Sequence, residues 1–128
     1  MRHIRQRNAI DCGLAVISML SGCRYEEARK ADPFPNKTIG LSLSDFIVTL
    51  ERCSGKKHKF TKPSKYIRLC ESQYPSTCAL IIRQDGRKYG HWIAVDDGKI
   101  IDPELEKAFN VSDYDRRDWY VIRIITEA

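Results

Sequence analysis

Cys12, His91 and Asp102 are the side chains in this sequence whose types and settings suit acyl-transfer chemistry. Cys12 lies between Asp11 and Gly13, where a polar lead-in meets the apolar run 14–20. Aspartate is a favoured helix N-cap, so the pattern predicts a helix capped by Asp11 and opened by Cys12. Free N–H groups and the helix dipole favour an anion there, which makes a thiol at that position a candidate nucleophile. The run has no polar face, so the helix should be buried. A free cysteine beside apolar residues is also an ordinary packing residue. The catalytic reading therefore depends on partners elsewhere in the chain.

Those partners are sought in the second half. The segments 91–96 (HWIAVD) and 99–102 (KIID) read as two strands joined by Asp97-Gly98, a strong two-residue hairpin signal. Such a turn pairs Asp96 with Lys99, and the same register pairs Ile93 with Asp102. His91 and Asp102 then share a face as diagonal neighbours, roughly 7–8 Å apart at the backbone, which polar side chains can bridge. A slip of one residue would separate them. In this register the carboxylate can fix the imidazole tautomer and aim its other nitrogen at a thiol. Taken singly, His91 is also a plausible strand opener and Asp102, before Pro103, a plausible turn residue. The other histidines, His3 and His58, lie in basic segments expected to be exposed.

The remaining elements must position these groups. Gly22 is expected to end the first helix. The segment 25–31 (YEEARKA) has the composition of a short helix, with Glu26 and Lys30 placed as an i,i+4 pair. Asp32-Pro33 stops it, and PFPNKTIG reads as a loop. A third helix is expected at about 43–53, capped by Ser42 or Ser44, because Leu43, Phe46, Ile47 and Leu50 follow a helical repeat. Residues 56–62 fit a short, lysine-protected edge strand. Residues 63–73 suit a turn or two of helix, and 78–83 (CALIIR) a buried strand. Residues 104–118 look like an acidic loop with a helical turn, and 119–125 form the last strand. Helices followed by an antiparallel sheet define an α+β domain.

The totals set bounds. With 128 residues the chain is expected to form one domain, residues 1–128, with a core that needs no staples. No apolar run approaches the ~18 residues of a membrane span. The basic start, MRHIRQRN, lacks the apolar region of a signal peptide, so a cytoplasmic location is expected. Five cysteines, an odd number, suit free thiols in a reducing compartment. Cys53, His58, Cys70 and Cys78 do not have zinc-module spacing, and no metal or cofactor is expected. The net charge of +5 concentrates in 51–70, where seven basic side chains face Glu51 alone. Such a stretch attracts acidic partners, but it has no recognition-helix signature and few aromatics, so nucleic acid is not expected.

The segment QRNAIDCGLAVISMLSG resembles the active-site segment of the bacteriocin-processing cysteine peptidases, papain-like domains that cleave after double-glycine leaders. That family carries a Gln-x5-Cys-Gly pattern, usually with Asp before the Cys, which Gln6, Asp11, Cys12 and Gly13 match. Its later elements, a His opening a strand and an Asp-Pro after the next strand, are matched by His91, Asp102 and Pro103 in GHWIAVDDGKIIDP. The resemblance implies a papain-like fold, with Cys12 as nucleophile, His91 as base and then acid, and Asp102 orienting His91. It also implies that the Gln6 amide and the Cys12 N–H form an oxyanion hole. The implied partner is a polypeptide, with small residues before the cleaved peptide or isopeptide bond. Two alternatives stand beside this reading. One is another thiol acyl-transfer enzyme, an amidase or transglutaminase-like protein. The other is a catalytically silent domain that binds a peptide or acidic partner through 51–70.

Overall fold

A computed structural model of the chain describes residues 1–8, 10–34 and 40–128. It is an α+β arrangement of three helices and a six-stranded sheet, antiparallel at every described pairing. The helices are α1 (Cys12–Ser21), α2 (Tyr25–Ala31) and α3 (Leu43–Ser54). The strands are β1 (His58–Thr61), β2 (Thr77–Arg83), β3 (His91–Asp96), β4 (Lys99–Ile101), β5 (Ala108–Phe109) and β6 (Tyr120–Glu127). They lie in the order β1-β6-β2-β3-β4-β5. Among the described residues no helix is long and apolar enough to cross a membrane. The predicted PFPNKTIG loop falls largely on 35–39, outside the described residues.

β2 and β3 are buried along most of their length because both faces of the sheet are covered. This is the expected arrangement for strands without polar alternation. On one face lie the three helices. Val16, Ile17 and Met19 of α1 pack with Phe46 and Leu50 of α3 over Ala79, Trp92, Ala94 and Ile125. Ala79 and Ala94 are register partners and fully buried. Their small side chains leave room for a wholly apolar helix to lie close to the sheet. Phe46 stacks flat on Trp92 with ring centroids 3.7 Å apart.

The opposite face is covered by the irregular stretch between β4 and β6. Leu80, Ile82, Ile93, Val95 and Ile100 meet Tyr114, Leu105, Phe109, Val111 and Trp119. The acidic loop expected at 104–118 is thus a structured cover, built from β5 and a 3-10 turn at Val111–Asp113. Tyr114 is its fully buried anchor. The helical turns expected in 63–73 reduce to one 3-10 turn, Leu69–Glu71. The first and last predicted strands appear with small changes of boundary, as β1 on the sheet edge and β6 beside it.

Two local expectations are changed by tertiary contacts. Asp11 stands at the N-cap position of α1, but its carboxylate makes no capping bond. It accepts from the Arg7 N–H at 2.8 Å, the Asn8 N–H at 3.0 Å and the Tyr25 hydroxyl at 2.6 Å. It therefore folds the lead-in back onto α2. Glu26, expected to pair with Lys30, instead meets Arg7 at 2.6 Å. Ser42 caps α3 as expected, its Oγ accepting from the Asp45 N–H.

Candidate active site

The hairpin register is the one the turn predicts. Asp96 pairs with Lys99, Val95 with Ile100 and Ala94 with Ile101. Asp97 and Gly98 both adopt positive φ, +52° and +76°, the conformation a two-residue turn of this hand requires. His91 and Asp102 consequently lie on one face, and His91 Nε2 is 2.7 Å from Asp102 Oδ1. Both are buried, Asp102 completely.

Cys12, the first residue of α1, lies close enough to the His91 imidazole to help raise its pKa. With Nε2 committed to Asp102, Nδ1 is the nitrogen left to serve the thiol. The Cys12–His91–Asp102 line is thus assembled from three separate elements. Two glycines allow the approach. A Cβ on Gly13 would stand 2.9 Å from the Leu41 side chain and 3.2 Å from the Trp92 indole. A Cβ on Gly90 would stand 2.6 Å from Ile81 and 3.1 Å from the Ile82 carbonyl oxygen. Each glycine adjoins a member of the line, so close backbone packing is what brings thiol and imidazole together.

The electrostatics favour a charged imidazole. Burial pulls the His91 pKa down, but the hydrogen bond to Asp102 and the nearby Cys12 thiol outweigh it and raise the value to about 9. Burial likewise pushes Asp102 up, and its bonds to His91, Tyr114 and the Glu104 N–H more than offset this and hold it below the ordinary carboxylate value. Asp102 Oδ1 accepts from His91 and, at 2.8 Å, from the Glu104 N–H. Oδ2 accepts from the Tyr114 hydroxyl at 2.5 Å and from Arg116 Nη1 at 3.1 Å. Arg116 also pairs with Glu104 at 2.8 Å, and Glu104 Oε1 stands 3.6 Å from His91 Nδ1. Burial, then the Asp102 charge, raises the Tyr114 pKa, so its hydroxyl stays a donor.

Tyr114, Arg116 and Glu104 are site residues that sequence reasoning missed. The one available signal was an aromatic, Tyr114, set between Asp113 and Asp115. Its pairing with Asp102 arises from tertiary folding, which no local period encodes.

Gln6 is anchored in the same corner. Its backbone N–H donates to the Pro103 carbonyl at 2.9 Å, beside Asp102. Its side-chain amide donates to the Asn8 carbonyl at 2.8 Å, and Oε1 is buried without a partner among the described residues. One amide hydrogen is therefore engaged in the lead-in. The Cys12 N–H has no acceptor among the described residues, because the first α1 bond to Asp11 comes from Ala15. All five cysteines are free. Burial pushes the Cys78 thiol up to about 12, which marks it as packing. Comparison with models of protein families and with curated proteins finds no match.

Proposed function

We propose that this chain is a papain-like cysteine peptidase that hydrolyses a peptide or isopeptide bond. The observation that carries the reading is the buried Cys12–His91–Asp102 cluster, in which His91 bonds the carboxylate and Cys12 lies close enough to help raise the imidazole pKa. The Cys12 thiolate attacks the carbonyl carbon, and the oxyanion receives the Cys12 N–H and the second Gln6 amide hydrogen. Imidazolium His91 protonates the leaving amine as the tetrahedral intermediate collapses to a thioester. Neutral His91 then takes a proton from water, whose oxygen attacks the thioester carbonyl. Collapse releases the acid and restores the thiolate–imidazolium pair. Asp102 keeps one tautomer throughout.

The direct test is the pH dependence of iodoacetamide alkylation at Cys12, resolved by peptide mass spectrometry, in wild type and His91→Ala. An ordinary thiol titrates near ~8.5, whereas an imidazolium-paired one reacts far below that. Alkylation of wild-type Cys12 should persist into the acidic range and retreat to the ordinary profile in His91→Ala. An ordinary profile in both folded proteins would sink the catalytic reading.

A further inference from the structure

At the end of the sheet where His91 begins β3, a second concave site lies between β2, β6 and the segment after β1. It is a cleft of about 430 Å³ whose charged lining is Lys62, Lys65, Arg83 and Arg123, with no acidic residue. Among the described residues none of these four cations forms an ion pair. The two arginines are half-buried and held in place. Arg83 donates to the Tyr66 hydroxyl, whose ring packs edge-on against Tyr120 at 4.5 Å. Arg123 Nη1 donates to the Ile122 carbonyl, while its Nε is buried without an acceptor among the described residues. An arginine with no carboxylate partner keeps its fork of donors for an incoming anion.

The position of the cleft indicates its ligand. Ile82 pairs with His91, so Arg83 stands beside the first residue of β3. Arg123 pairs with Ile81, which packs against the helix-side core, so strand alternation puts both arginines on the face that carries α1 and Cys12. β6 is two strands from β3, roughly 10 Å away, or about three residues of extended polypeptide.

We propose that this cleft binds acidic side chains of a polypeptide, a few residues from the bond presented to Cys12. Arginine forks match carboxylates bidentately, and the flanking lysines add point charges. The volume suits one or two carboxylate side chains, not a run of phosphates. The ring of Tyr66 is engaged by Tyr120 and its hydroxyl by Arg83, so the site lacks the free stacking platform of a single-strand binder. The placement of the acidic residues relative to the cleaved bond rests on the peptidase reading; the binding itself does not.

The test uses Cys12→Ala protein and a fluorescein-labelled Gly/Ala peptide carrying glutamates, followed by anisotropy at low salt. The glutamate peptide should bind about tenfold or more tightly than its glutamine counterpart, and Arg83→Gln/Arg123→Gln should lose that margin. Lys62→Glu/Lys65→Glu changes only exposed positions and should weaken binding in the same direction. Equal binding of the two peptides, or binding untouched by both double variants, overturns the proposal. So does a single-stranded oligonucleotide that binds more tightly and displaces the peptide. Failure of the peptidase reading shows separately, as an unreactive Cys12 in protein that still binds the acidic peptide.

Discussion

The two faces of the sheet position their share of the site by opposite means. On the helix side, Cys12 is placed by apolar packing: α1 is buried against Ala79, Trp92 and Ala94, and Phe46 stacks on Trp92. On the other side, Asp102 is placed by four donors, most of them from an irregular segment whose buried anchor is Tyr114. The first arrangement is tolerant of charge state and sensitive to volume. The second is tolerant of volume and sensitive to proton count. In the proposed mechanism the thiol needs a fixed position and the imidazole a fixed tautomer, and each side supplies one of the two.

The contrast can be broken most forcefully at Asp102. Asp102→Asn keeps the shape but removes the charge that Arg116 and His91 face. We expect a rate loss of about 10⁴-fold, as for tautomer-disrupting changes in other triads, together with about 3 kcal/mol of lost stability, typical of breaking a buried charge pair. Peptide turnover and urea unfolding measure the two. Phe46→Ala should do the reverse. It should cost about 3–5 kcal/mol by opening a cavity, while Cys12 in the fraction that remains folded keeps its alkylation profile. If Phe46→Ala moved that profile as far as Asp102→Asn does, the division between the faces would fail.

Tyr114→Phe sharpens the comparison on a smaller scale. It removes one bond to a buried carboxylate, worth about 1.5–3 kcal/mol, with almost no volume lost. It should also shift the basic limb of turnover upward, because Asp102, with one donor fewer, is the more basic carboxylate and holds the His91 proton more tightly. The smallest effect is a pH-dependent one. The His91 value is raised, so its contribution to stability is full below the ordinary histidine value of about 6.5 and is lost as pH rises through about 9. Asp102 is held low, so its contribution is full above about 4 and is lost as pH falls further. The stability difference between wild type and His91→Ala should therefore be greatest between these limits and shrink above pH 6.5. A flat difference up to pH 9 would contradict the charged pairing.

How much of this was legible in the sequence follows the same division. The apolar run after Cys12, the helical repeat of α3 and the Asp97-Gly98 turn are local signals, and each fixed its element and the His91–Asp102 register. Asp11 was read as a local cap, but its carboxylate serves Tyr25, fourteen residues away, because a buried acceptor with several donors outcompetes one frayed helix turn. The Gln6 backbone reaches the Pro103 carbonyl beside Asp102, and its amide is partly engaged by Asn8. The 104–118 stretch was read as a loop with a helical turn, which the 3-10 turn at Val111–Asp113 matches, but its role as a cover over the sheet was not legible. Its order comes from side-chain bonds to one carboxylate, and such bonds leave no periodicity behind.

The close approach at Gly13 has an optical consequence. It sets the indole of Trp92 against the peptide unit that follows Cys12, in a buried stack with Phe46. A fluorophore held there senses both the charge carried by its neighbour His91 and anything attached to the sulfur. Acylation of Cys12 should therefore change intrinsic emission during turnover, and replacing the more exposed Trp119 would leave Trp92 as a built-in reporter of the covalent step.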